Sequence, residues 1–161
     1  MEVVARQLTL PKSYGIPHRV LPWKEVEQKL VESRTYWLAT TRRDGRPHTV
    51  PVDGIWWEGA LYFGGDPATV HMRNLRSDPR VVVHTESGES PVIAEGTVEW
   101  CQPSQDELSG LFGATQAKYG YPASPDSFST GTWRLSPGRV LAWNVLHQDA
   151  TRFTLTRDQA E

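Results

Sequence analysis

The chain has little of what would announce most kinds of chemistry. It holds one cysteine, Cys101, so no disulfide can form within it. Its histidines, His18, His48, His71, His84 and His147, are scattered without metal-ligand spacing, which argues against a metal site. No apolar run approaches the ~18 residues of a membrane-crossing helix. The N-terminal stretch has no basic region followed by an apolar core and a small-residue cleavage site, so a soluble cytoplasmic protein is expected. There is also no block of like charge. The 17 basic side chains stand against 19 acidic ones, a net of −2, which argues against nucleic-acid and membrane-surface partners. No G-x-S-x-G context marks a hydrolytic serine, and no internal repeat is visible.

What the chain does have is punctuation and indole. There are 13 glycines and 12 prolines, and seven tryptophans, which suit cores, interfaces and ligand sites alike. A single domain over residues 1–161 is expected, with an irregular arm over 1–21, a barrel over 22–156 and a tail over 157–161. PWKEVEQKLVES, opening at Pro22, reads as a helix. Tyr36 to Thr41 reads as a strand leading to Asp44-Gly45, a type I′ hairpin signal. A second strand follows from His48 to Trp57, with Asp53-Gly54 as a bulge or turn, then a tight turn at Glu58-Gly59 and a third strand in ALYFGG. Pro67 to Ser77 is a short helix, and Arg80 to Thr85 with Pro91 to Trp100 form another hairpin. SQDELSGLFGATQAKYG is helical, with Ser104 and Glu107 at capping-box spacing and Gly120 as its stop. After a loop from Tyr121 to Gly131, which would shape a pocket mouth, come Thr132 to Asn144, broken near Pro137-Gly138, and Thr151 to Thr156. Tight turns between strands imply antiparallel pairing. The fold class is therefore α+β, an antiparallel six- to seven-stranded split barrel with three short helices.

The helix over Pro67 to Ser77 allows two readings. Ala68, Met72 and Leu75 share one face, which should bury against the barrel. His71 and Arg76 flank that stripe, while Arg73 points away from it. The helix begins at GGDPAT, where Gly64 and Gly65 permit close backbone approach and the first amide N–H groups have no helical partner. Either the basic side chains are a solvated connector, or this helix start, with Thr69, holds an anion. Of Trp56 and Trp57, one belongs in the core and the other would cover a ligand ring or a subunit seam. His84 suits a core or edge position, and Cys101 a small buried apolar one.

Several stretches, taken in order, carry a resemblance. They are Trp37-Leu38-Ala39-Thr40, Asp44-Gly45-Arg46-Pro47-His48, Pro51-Val52, Leu61-Tyr62-Phe63 and the run from Arg73 to Val83. Glu95 to Glu99, Pro137 to Trp143 and Thr151 to Leu155 continue the series. Their spacing resembles the pyridoxamine 5′-phosphate oxidase-like (FMN-binding) split barrels, and most closely their deazaflavin (coenzyme F420)-dependent oxidoreductase branch. The resemblance implies a homodimer with two cofactor sites at the interface. It implies that the tricyclic ring lies along His48, Thr49, Val50, Pro51 and Val52, then Phe63 and Gly64. It puts the cofactor phosphate near Thr69, Val70, His71 and Asn74. Trp143 and Arg152 complete the pattern, partly from the other subunit. Val70-His71 stands where most relatives carry lysine, which shifts phosphate binding toward Arg76, Arg42 and the helix start.

The activity so implied is hydride transfer from coenzyme F420 to a small or medium conjugated substrate, the cofactor carrying the chemistry. No acid–base residue is assigned; His48, Tyr62 or solvent could deliver a proton. FMN is the alternative cofactor. Two further readings are a non-catalytic binder of a flavin, haem or other planar ligand, and an OB-like barrel for single-stranded nucleic acid, which the charge balance disfavours.

Overall fold

Strict alternation sets the central strand. In Thr35–Thr41 (β2) the side chains of Tyr36, Leu38 and Thr40 are buried and those between them half-buried, the pattern of a strand with one face on a core. In the computed structural model, which describes residues 1–120, 128 and 130–157, the strand is preceded by Glu2–Gln7 (β1) and the helix Trp23–Glu32 (α1). Pro47–Asp53 (β3), Ile55–Trp57 (β4), Ala60–Phe63 (β5), the helix Val70–Ser77 (α2) and Arg80–His84 (β6) follow. The chain continues through Val92–Cys101 (β7), Gln105–Tyr119 (α3), Thr132–Ala142 (β8), a short turn of helix at Leu146–Asp149 (α4) and Thr151–Thr156 (β9).

All pairings are antiparallel, in the order β1-β9-β8-β7-β6-β2-β3, with β5 on β8 and β4 on β5. Strand β8 is shared: Trp133, Arg134 and Leu135 pair with β5, and Arg139 to Ala142 pair with β9. Because β3 runs into β4 through Gly54, the ring from β2 around to β4 closes through the chain itself. That is a split barrel. Its core holds Tyr36, Leu38, Leu61, Phe63, Leu135 and Phe153, capped by Val26 and Leu30 of α1. A second cluster, with Ile55, Tyr62 and Leu111, lies under α3. Helix α3 is tied to the Gly54 junction by Lys118, whose ammonium donates to the Tyr36 hydroxyl and the Gly54 carbonyl, both at 2.8 Å. Burial pushes that ammonium down to about 8. No helix among the described residues is long and apolar enough to cross a membrane, which says nothing of β-barrels.

Several expectations hold and several are corrected. Ser104 and Glu107 form the capping box, and Gly120 ends α3 at φ 75°. The arm over 1–21 is not wholly irregular, because Glu2–Gln7 pairs with β9 over six residues. Its side chains are almost all exposed, so no burial pattern marks it. This strand, and the break of the second strand at Gly54, raise the count to nine among the described residues. At Asp44-Gly45 only Gly45 has positive φ (84°). Gly45 N–H donates to Arg42 O at 2.8 Å and Asp44 Oδ1 accepts from Arg46 N–H, so the loop is a type I turn with a following left-handed glycine. The two-residue pattern occurs at Glu58-Gly59 instead, with φ of 47° and 73°.

Helix α2 starts at Val70, not Pro67, because the Asp66 carboxylate and carbonyl hold Ala68 and Thr69 in a turn. Ala68 is exposed, and Asn74 joins Met72 and Leu75 on the buried face. Strand β8 runs through Pro137-Gly138 unbroken; Glu95 pairs with Arg139 and Gly96 with Pro137, leaving Gly138 as the extra residue of a bulge. Most of the loop from Tyr121 to Gly131, and the tail beyond Arg157, lie outside the described residues.

The bulge makes a strict demand on Gly96. A Cβ there would collide with the Ser136 carbonyl and sit 2.8 Å from the Pro137 Cα, both backbone atoms. At Gly138 nothing lies within 4 Å of an added Cβ. Gly96→Ala should therefore cost about 1–3 kcal/mol and Gly138→Ala close to nothing, measured as shifts in urea unfolding midpoint. Equal midpoints would mean the bulge is not a constraint.

Candidate functional site

A buried polar contact seats α2 on the barrel. Asn74 Nδ2 donates to Thr40 Oγ1 at 3.0 Å, and Thr40 Oγ1 donates in turn to the His48 carbonyl at 3.4 Å. The helix thereby lies beside the turn between β2 and β3. Between them runs a groove of about 480 Å³, lined by Arg42, Arg43 and Arg46 from the turn and Arg73 and Arg76 from the helix. Asp44 is the one acid in its lining.

Four of these arginines are held by local partners. Arg42 Nη2 donates to His48 Nδ1 at 3.2 Å, and Arg43 Nε to Ser77 Oγ at 3.0 Å. Arg46 pairs with Asp44 at 2.7 Å, and its hydrogen bonds hold that carboxyl below its ordinary range. Arg73 Nη1 donates to the Ala68 carbonyl at 2.7 Å. Arg76 has no hydrogen bond, ion pair or ring contact among the described residues. Guanidinium groups donate and never accept, so the Arg42 contact leaves His48 Nδ1 as acceptor. The neutral ring then carries its hydrogen on Nε2. That atom is buried and has no partner. An unsatisfied buried donor costs roughly 1–3 kcal/mol; His48 stands beside the groove through Arg42 and does not line it.

His71, half-buried at the first turn of α2, is pushed below its ordinary 6.5 by burial and then by the neighbouring His48. It enters at neutral pH as an uncharged ring, unlike the lysine of the resemblance. The two glycines before α2 differ. A Cβ at Gly65 would meet Met72 Cε at 2.5 Å, so Gly65 serves the packing of the helix. Gly64 is exposed with nothing within 4 Å of an added Cβ, so its backbone is open to a ligand.

The other expected residues are distributed more widely. On β3, His48, Val50 and Val52 point inward while Thr49 and Pro51 are exposed, so no ligand can meet all five side chains. Val52 and Phe63 belong to the core. Val70 lines the groove, and Thr69 donates its hydroxyl to the Asp66 carbonyl at 2.8 Å. Asn74 reaches the groove wall, but its amide is engaged by Thr40. Trp143, just past β8, and Arg152 on β9 do not line the groove. Tyr62, the other expected proton donor, is buried at 6.2 Å from Trp57 and also lies outside it. Both indoles of the Trp56-Trp57 pair are used internally: Trp56 Nε1 donates to Glu27, and Trp57 packs where a Cβ on Gly110 would stand. Cys101 is half-buried, and burial pushes its thiol up. No cluster of metal-ligating side chains exists among the described residues. Arg43 and Arg46 were not anticipated. The run R-R-D-G-R at a hairpin tip was the signal that could have found them.

The profile of the pyridoxamine 5′-phosphate oxidase family matches residues 22–144. Among curated proteins, none matches the chain. Of the solved structures it is similar to, a conserved hypothetical protein of Mycobacterium tuberculosis is 24% identical, with TM-score 0.64 over 78% of this chain and 86% of that one. A heme-binding protein of Mycobacterium smegmatis is 22% identical, with TM-score 0.61 over 89% of this chain and 59% of the longer relative. An F420 reductase is 20% identical, with TM-score 0.54 over 71% of this chain and 94% of that one.

The geometry around His71 has a measurable sign. Folded His71 binds a proton less tightly than unfolded His71, so its contribution to stability is complete above pH 6.5 and declines as the pH falls through its folded value. Its ring titration, followed by NMR, should have a midpoint below 6.5 that moves upward when inorganic phosphate is added. A midpoint at or above 6.5 without added anion would contradict the burial described here.

Proposed function

Because the chain belongs to the pyridoxamine 5′-phosphate oxidase family, we propose that it is a flavin-type oxidoreductase. Its cofactor in this reading is coenzyme F420, serving hydride transfer to a small or medium conjugated substrate. The observation that supports this is the groove lined by five arginines, one of which, Arg42, is held by His48 from beside it. The donor set suits a phosphorylated cofactor: the guanidinium groups donate, and Val70 brings the start of α2 to the groove. Five arginines against one aspartate exceed what a single phosphate requires. A deazaflavin whose tail carries carboxylates beyond its phosphate makes use of the excess, which favours coenzyme F420 over FMN.

When bound, the cofactor supplies the hydride. The chain's own residues bind and orient it. Arg42, Arg43, Arg46 and Arg73 are already held in place by their partners, so little side-chain freedom is lost when an anion enters. His48, beside the groove, holds Arg42 in place through Nδ1. His71, uncharged at neutral pH, adds polarity without a permanent charge. No acid–base residue is assigned; with Tyr62 buried outside the groove, His48 and solvent are left as the proton sources. Trp143 and Arg152, outside the groove of one chain, act from a second copy in this reading, so the working unit is a homodimer.

FMN is the second reading, as the resemblance to the FMN-binding split barrels implies. A non-catalytic binder of a planar ligand is the third, in keeping with the heme-binding relative. Titration with coenzyme F420 and with FMN, followed by cofactor fluorescence, separates them. The expected result is tighter binding of F420, weakened by added salt. His48→Phe should weaken it about tenfold or more while raising the unfolding midpoint of the cofactor-free chain, since it removes an unsatisfied donor. Tighter FMN binding would overturn the F420 assignment. Unchanged affinity in His48→Phe would remove this residue from the site.

A further inference from the structure

The other flank of α2 carries a second, smaller cavity, and an exposed indole stands at its edge. Trp100, near the end of β7, is 55% exposed, yet its ring is closely held. Gly131, at φ +110°, lies against it, and a Cβ there would be 2.6 Å from three atoms of the indole. Trp133 meets it edge to face, with ring centroids 5.5 Å apart and planes at 76°. A glycine in a left-handed conformation under a half-open tryptophan fixes the ring while leaving a large apolar face uncovered.

Beside that face is a cavity of about 270 Å³, lined by Gly65, Pro67, Met72, Arg76, Trp100 and Trp133. Met72 and Pro67 give it an apolar wall and the two indoles give it flat ones. Arg76 supplies the one charge, and among the described residues its guanidinium has no partner. Arg42, Arg43, Arg46 and Arg73, the other arginines beside α2, all have one. The cavity sits just below the ~300–1,000 Å³ typical of small-molecule sites. It suits one or two fused rings and is too small for a tricyclic cofactor with its tail. Indole faces and edges pack against flat aromatic rings, and a free guanidinium selects a planar carboxylate by paired N–H donation.

We propose that this cavity is a binding site for a planar aromatic carboxylate of one or two rings, with the ring against Trp100 and Trp133 and the carboxylate on Arg76. It goes beyond the cofactor reading and stands without it, because the cavity shares only Arg76 with the groove. The test uses the cofactor-free full chain and two probes, 2-naphthoate and the uncharged 2-naphthalenemethanol, followed by the indole N–H signals in ¹H–¹⁵N spectra.

Saturable shifts of the Trp100 and Trp133 signals with 2-naphthoate are expected, with at least tenfold weaker binding of 2-naphthalenemethanol. Trp100→Ala should reduce naphthoate affinity at least tenfold. Arg76→Ala should bring naphthoate down to the level of the alcohol and leave the alcohol's own affinity unchanged. Absence of saturable shifts in the unaltered chain overturns the proposal whatever the variants do. So does equal affinity for the two probes, or unchanged naphthoate binding in Trp100→Ala. A dimer in sedimentation that Trp100→Ala abolishes, with no naphthoate binding, would assign this face to a second copy instead. Failure of F420 and FMN to bind, with naphthoate still bound, would dismiss the cofactor reading and leave this one standing.

Discussion

The hydrogen bond from the Asn74 amide to the Thr40 hydroxyl, buried and 3.0 Å long, decides where α2 lies. Met72 and Leu75 beside it are also buried, but apolar contact is non-directional and would tolerate a helix displaced along its axis. A buried amide has few acceptable partners, and losing one costs the desolvation of what is left behind. The contact therefore selects one position of the helix. From that position follows the groove: three arginines of a hairpin turn and two of a helix come to face one another across it.

Like charges so placed repel, and the structure answers this locally. Asp44 takes Arg46, the Ala68 carbonyl takes Arg73, Ser77 takes Arg43 and His48 takes Arg42. These contacts are exposed or half-exposed and contribute little to stability one by one. Their effect is orientation, since each holds a guanidinium in place before any anion arrives. The same arrangement leaves His48 Nε2 buried and unpaired. A chain that gathers five arginines around one groove and leaves an unsatisfied donor beside it has the form of a site arranged for a ligand and not for maximal stability.

Much of the fold was legible because its causes are local. The alternation from Tyr36 to Thr40, the Ser104–Glu107 box and the left-handed Gly120 are each written in a few adjacent residues. Where causes are not local, reading failed. Strand β1 pairs by its backbone to β9 and shows almost no buried side chain, so nothing in its composition marks it. The turn at Asp44-Gly45 differs from expectation because the Asp44 carboxylate captures the Arg46 N–H, a choice between two turn types that the dipeptide leaves open. The groove was half legible. Arg42, His71 and Arg76 were expected near an anion. The balanced total of 17 basic and 19 acidic residues, however, conceals a cluster assembled from two short segments far apart in sequence. Asn74 was expected to touch a phosphate; the pairing that engages it with Thr40 is tertiary and has no mark in the residues around it.

The most direct test of this account is a crystal structure of the chain grown with coenzyme F420. The account predicts the cofactor's phosphate between α2 and the turn joining β2 to β3, accepting hydrogen bonds from the arginines of the groove. Cofactor density elsewhere on the barrel, with the arginine groove filled by solvent alone, would contradict it.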